Sequence, residues 1–227
     1  MRLSLCLAVA MALIPVPRLL SVASPLDPRA ADAMQHFFDR TTTAYQYSAS
    51  RRLEASGKGQ QGWLDVETEF TATMGLSYNV TAEGGSGYIR SRVLRSLLDA
   101  EQTLMAGGDG GKVALSTDNY QFTPNGVDTQ GLAVIDMRPR RQDRSLIAGR
   151  MFLMADGTLV RVEGRLAKNP SFWVTRVSVV RAYRPINGVL MPVSLDTTAQ
   201  LRLFGSSALR MTYRYARVDE REVVNQP

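Results

Sequence analysis

The sequence predicts a mainly β protein of ten or eleven antiparallel strands, with a short N-terminal helix and one long helix inserted after the third strand. Three observations carry this. "LDVETEFTA" alternates Leu64, Val66, Thr68, Phe70 and Ala72 against Asp65, Glu67, Glu69 and Thr71, the period of a strand with one wet face. The second half of the chain is strand-like runs cut by Gly, Pro, Asn and Asp signals. Only one long segment, residues 84–108, changes to helical spacing.

In chain order, "ADAMQHFFDRTTTA" reads as a helix of about three turns, with Met34, Phe37 and Phe38 near one side. "AYQYSASRRLEA" pairs beside the hairpin formed by "LDVETEFTA" and the run through Leu76, Tyr78 and Val80. In the long helix, Ile89, Val93, Leu97, Ala100 and Leu104 recur on one face, and Leu94, Leu98 and Met105 widen it. Ser86 is the candidate N-cap, and Gly107-Gly108 ends the run. Strands then follow as "KVALS", "NYQFTP", "GLAVIDMRP", "SLIAGRMFLMA", "GTLVRVEGRLA", "SFWVTRVSVVRAY", "VLMPVSLDTTAQLRLF" and "SALRMTYRYARV". Turns are read at Thr123–Gly126, Ala155-Asp156-Gly157, Lys168-Asn169-Pro170 and Asn187-Gly188, the Asp-Gly pair marking a hairpin.

The chain has 227 residues and opens with Arg2, an apolar run from Leu3 to Val16 and the small-residue pattern Ser21-Val22-Ala23. Residues 1–23 are expected to be a cleaved secretory signal, and 24–227 one domain. Pro15, Pro17 and Arg18 interrupt the run short of the roughly 20 apolar residues needed to span a bilayer, so a soluble mature protein in the periplasm or outside the cell is expected. The single cysteine, Cys6, falls inside the signal. The mature chain then has no disulfide or thiolate site and relies on packing. Loss of Arg2 and Arg18 leaves 25 basic against 21 acidic side chains, a charge of +4. The one dense basic stretch, "RPRRQDR" at 138–144, reads as a solvated loop, and no motif of a nucleic-acid-binding sheet accompanies it.

A sheet this wide has more inner surface than one helix covers. The remainder is either a second packed layer or an apolar cavity. Phe152 and Met154 oppose Met151 and Leu153, and Phe172, Val174 and Val180 oppose Trp173, Val177 and Val179, so these strands are expected to be covered on both faces. The candidate cavity-lining residues are Leu64, Val66, Phe70, Leu76, Tyr78, Val93, Leu97, Trp173, Leu209, Met211, Tyr213 and Tyr215, with Trp63 beside them; each also reads as ordinary core.

Catalytic and metal readings are poorly supported. His36 is the only histidine, in a terminal helix, and no Gly-x-Ser-x-Gly elbow supplies a nucleophile. "GGSG" at 84–87 lacks the Lys-Ser/Thr of a phosphate loop and reads as a helix entry. One histidine and no mature cysteine argue against zinc, and no Asp-x-Asp-x-Asp-Gly run supports calcium. Glu67 and Glu69 share a strand face, but it is the polar face of a clean alternation. No catalytic residue, metal or cofactor is expected.

From Gly149 to Val218 the sequence resembles the C-terminal half of the periplasmic lipoprotein-carrier (LolA-like) and lipoprotein-sorting superfamily, to which a periplasmic stress-regulator domain is similar. The shared pattern is a strand before an Asp-Gly hairpin, a strand with Arg161 and Glu163, a Gly-x-x-x-Pro entry at Gly188–Pro192, and a last strand with Tyr213 and Tyr215. The resemblance covers about residues 32–220 by order of elements. It implies a curved antiparallel sheet forming an unclosed half β-barrel of about ten strands, with a helical lid running from Tyr88 to Met105. It further implies a non-enzymatic, monomeric carrier or chaperone that shields acyl chains of a lipoprotein or lipid, with transient membrane contact. An envelope-stress domain binding a protein partner is the alternative. No lid arginine or membrane-inserting residue of the family can be placed on a position here.

Overall fold

The computed structural model describes residues 27–40, 43–106, 109–172, 174–202 and 205–224. The expected signal segment and Trp173 lie outside them. The sheet is built from β1 (Gln46–Gly57), β2 (Gln60–Thr71), β3 (Gly75–Gly85), β4 (Tyr120–Val127), β5 (Ala133–Pro139), β6 (Ile147–Leu153), β7 (Leu159–Leu166), β8 (Val174–Ile186), β9 (Val189–Leu201) and β10 (Gly205–Val218), with a two-residue β11 (Arg221–Glu222) on β10. Every pairing is antiparallel, in the order β3-β2-β1-β10-β9-β8-β7-β6-β5-β4. β3 and β4 stand at opposite edges and do not pair, so the sheet is an unclosed half-barrel.

Side-chain alternation decides which face is filled. On β1 the residues Ala49, Arg51, Leu53 and Ala55 point inward. They pair with Thr68, Val66, Leu64 and Gly62 of β2, and with Tyr215, Tyr213, Met211 and Leu209 of β10. Helix α1 (Pro28–Arg40) lays Ala30, Ala33 and Phe37 on Tyr120, Ile135, Met151, Leu153 and Leu159, covering the β4–β7 side. A second cover, leaving β3, lays Ile89, Leu94 and Leu98 on Leu53, Leu64, Val66 and Met211. A third cluster, Ala49, Ile186, Val189, Met191, Tyr215 and Val218, closes the end between them.

β6 and β7 approach each other closely where Gly149 pairs with Gly164. A Cβ at either position would run into the backbone of the facing strand. Two glycines opposite each other allow an approach that side chains forbid. Gly157, in the Asp-Gly turn with φ +87°, performs the same service for α1: a Cβ there would sit 2.5 Å from the backbone nitrogen of Phe37. Asn187 and Gly188 both adopt positive φ, 53° and 85°, as a tight two-residue hairpin requires.

Several expectations need correction. "KVALS" forms no strand: 109–112 is a single 3-10 turn, and Leu115 only packs against the α1 cluster. Residues 123–126 are no separate turn but lie within β4, whose register slips between Pro124 and Val127 around Gly126 at φ +80°. Met154 and Phe172 lie outside the strands, beyond the end of β6 and ahead of β8, and are 49% and 71% exposed, and Val180 on the outer face of β8 is 41% exposed, so this stretch is not covered on both faces. Phe152 is buried there because Arg161 lies over its ring at 3.8 Å, the aliphatic stem and flat head of arginine replacing a second layer.

Candidate functional site

The second cover is a lid whose geometry departs from a plain helix. It begins with α2 (Gly87–Ile89), where Ser86 caps by accepting from the Ile89 amide, passes through a π-helical turn at Arg90–Arg95, and continues as α3 (Ser96–Ala106). A π turn inserts one residue into the helical ladder. The buried positions are therefore Ile89, Leu94 and Leu98, and the stripe expected through Val93, Leu97 and Ala100 is displaced by one. Val93 and Leu97 are half-buried at its flank, and Ala100 faces solvent. Gly85, at φ +78° and packed against the Gln61 carbonyl, makes the turn out of β3. Glu83 at that turn takes both Arg90 and Arg95, tying the first turns of the lid to the strand they leave.

Eleven of the twelve candidate lining residues fall on the concave face or on the lid above it. Leu64, Val66 and Met211 are buried directly under Leu94 and Leu98, with Val93, Leu97, Tyr78, Leu209 and Tyr213 packed around them. Leu76 pairs with Phe70, whose ring stacks on Tyr47 at 5.2 Å. Tyr215 meets Tyr47 edge-on at 5.6 Å. Trp63 does not belong to this group: it points to the outer face, under the Arg52 guanidinium at 3.9 Å. Nor is the row open in this structure, since Leu53, Leu64, Leu94 and Leu98 have no exposed surface. The lid fills the hollow.

What the sequence reading did not anticipate is the polar group in the middle of this wall. Arg51 points inward between Ala49 and Leu53 and is only 2% exposed. Its Nη1 donates to Glu101 Oε2 on α3 at 2.7 Å and its Nη2 to the Tyr47 hydroxyl at 3.0 Å, and its guanidinium carbon lies 4.8 Å from the Tyr213 ring centre. Arg181 of β8 also faces inward, paired with Leu195 across to β9. It reaches the Tyr213 hydroxyl and lies 5.6 Å from the centre of the Tyr183 ring. Burial works against the charge of Arg51, but Glu101 together with Tyr213 and Tyr47 more than offsets it and holds the group above the usual arginine range. Burial pushes the Tyr47 phenol up to about 12 and raises Tyr213 and Tyr215 as well. The signal was present in the chain: Arg51 is in phase with Ala49 and Leu53, and Arg181 with Val177 and Val179.

His36 ties α1 to the Asp-Gly hairpin, its Nδ1 lying 3.2 Å from the Ala155 carbonyl. Among the described residues no cluster of His, Cys, Asp and Glu could hold a metal ion, and no helix is long and apolar enough to cross a membrane. A cleft of about 190 Å³ lies between Phe37, Arg40, Leu159 and Leu190, and another of about 660 Å³ is lined by Ala55 and Leu209 of the wall together with Glu54, Trp63, Asp196 and Arg210.

Fold and site together define a half-barrel closed by a helical lid over an apolar wall with a charged centre. Among solved structures the chain is similar to a LolA superfamily protein from Nitrosomonas europaea, with 9% identity, a TM-score of 0.45, and coverage of 87% of this chain and 94% of that one. It is also similar to a DUF1329 family protein from Desulfovibrio piger, with 9% identity, a TM-score of 0.39 and coverage of 84% and 91%. MucB is a third, with 11% identity, a TM-score of 0.25 and coverage of 83% and 94%. No family profile matches the sequence, and no curated protein matches it.

Proposed function

We propose that the protein is a non-enzymatic carrier of acyl chains acting in the periplasm, with the lid lifting to expose the concave wall. The observation that carries this reading is the nature of the lid contact. Ile89, Leu94 and Leu98 sit on Leu53, Leu64, Val66 and Met211, apolar on both sides. An acyl chain can replace such a contact group for group, since each buried CH2 is worth about 0.8 kcal/mol whichever molecule supplies it. The lid is one segment folded back on its own hairpin. It can leave the wall while the α1 cluster stays packed.

The test is to purify the mature chain from its envelope, extract it, and look for acyl compounds by mass spectrometry, alongside uptake of an apolar fluorescent dye. Bound acyl species and saturable dye uptake are expected. Absence of both would leave a solid core and favour the second reading, a domain that binds a protein partner. That reading draws on the edges: β3 and β4 each pair on one side only, which leaves backbone groups able to accept an added strand.

A further inference from the structure

The charged centre of the wall is rich in donors and short of acceptors. Arg51 and Arg181 bring two permanent positive charges and ten N–H groups, and neither can be neutralised by losing a proton. Facing them is one carboxylate, Glu101, which interacts with both. The Nε atoms of Arg51 and Arg181 are buried with no hydrogen-bond partner. The nearby hydroxyls do not correct the balance: Tyr47 is already engaged by Arg51, Tyr213 by Arg181, and Tyr215 donates to the Pro192 carbonyl at 2.7 Å. A buried arginine without a counter-charge is less favourable than an apolar residue of similar size. For core packing alone, a leucine or methionine at 181 would serve better.

We infer that this cluster is a head-group site for a single-chain amphiphile bearing one carboxylate or phosphate, and that Glu101 occupies the place of that head group while the lid is closed. The inference rests on the acyl-binding reading of the same wall. An anionic head supplies what is missing: acceptor oxygens for the free Nε groups and one negative charge against the surplus positive one. Apolar residues two positions along each strand, Leu53 on β1 and Met211 on β10, begin about 7 Å from the arginine row, where the first methylenes of the chain would lie. A small inorganic anion would leave those rows unused.

The test uses the mature chain and displacement of a neutral fluorescent dye by three probes of equal chain length: palmitic acid, palmitoyl lysophosphatidic acid and the uncharged monopalmitoyl glycerol. Inorganic phosphate is run alone. The charged probes are expected to bind about tenfold or more tightly than the neutral one, the scale of one charge-assisted hydrogen-bonded pair. In Arg181→Met the ratio should fall toward one, and in Arg181→Lys it should be partly kept. Preference for the fatty acid or the lysophospholipid identifies carboxylate or phosphate as the head. Equal binding of charged and neutral probes by the unaltered protein overturns the head-group site and leaves acyl binding intact. Failure of all three to displace the dye removes the acyl reading and this inference with it, as does a site that inorganic phosphate fills as well as the lipids do. Should Arg181→Met fail to fold, the ratio in the unaltered protein still decides.

Discussion

Arg51 of β1 and Glu101 of the lid meet at 2.7 Å with the arginine side chain wholly enclosed and the glutamate one-fifth exposed. This pair joins the two parts that must separate if the wall is to open. Glu101→Gln would leave two buried guanidinium groups with no anion between them, and stability should fall by about 3 kcal/mol or more. Urea unfolding followed by circular dichroism measures it. The double change Arg51→Met with Glu101→Leu should recover the part of that loss due to Arg51, because an apolar pair carries no desolvation cost, while Arg181 still lacks its acid. A double variant as unstable as Glu101→Gln would mean that the pair itself supplies net stability.

Leu98 is the deepest lid contact, fully buried over Leu53 and Leu64. Leu98→Ala should cost about 2–5 kcal/mol of lid-to-wall contact. If the lid opens as a unit, the change should raise dye uptake and amide exchange in residues 87–106 while the α1 half stays protected. Uniform exchange across the sheet would instead show the lid and barrel unfolding together.

The strand pattern, the Asp-Gly hairpin and the inward face of β10 were legible in the sequence because period-two alternation is a direct image of a half-buried sheet, as Leu209, Met211, Tyr213 and Tyr215 illustrate. The charged centre was not. "SASRRLEA" reads as a polar stretch unless Arg51 and Arg52 are assigned to opposite faces, one to Glu101 and the other to Trp63 and Asp65. The lid's apolar band is legible, Leu94 and Leu98 included, but not that it centres on them and not on Val93 and Leu97, because no sequence rule marks a π turn. The exposure of Val180 on β8, and of Phe172 in the turn before it, is not legible because apolar composition says nothing about which surface meets water.

Gly149 and Gly164 let the backbones of β6 and β7 approach more closely than side chains would permit. Gly149→Ala should therefore lower stability by about 1–3 kcal/mol, the range for forcing atoms into filled space. A thermal melt is sufficient to measure this. A change at Gly111, whose backbone is likewise not left-handed and whose Cβ would meet nothing, provides the control for replacing a glycine without a clash.

The buried phenols make an alkaline limit. Tyr47 is raised by burial to about 12, and Tyr120, Tyr213 and Tyr215 are raised in the same direction. The folded state holds these protons more tightly than the unfolded chain, whose tyrosines titrate near 10. Their contribution is complete below about pH 10 and is lost as the pH rises toward about 12. The urea midpoint should stay level from neutrality to about pH 10 and then drop, with phenolate absorbance rising in step with unfolding. Ionisation of all these phenols near pH 10 in the folded protein would contradict the enclosure of this end of the wall.

The extra residue in the turn at Arg90–Arg95 sets the phase of everything after it. A helix advances about 100° per residue, so an unbroken α ladder through the same stretch would swing the downstream side chains by roughly that angle. Glu101 would then look out to water and Arg51 would lose its ion pair with it. One residue of slack in the hydrogen-bond ladder thus fixes whether the enclosed guanidinium has a neighbour of opposite sign, and deleting a single residue there would switch off a contact two turns away.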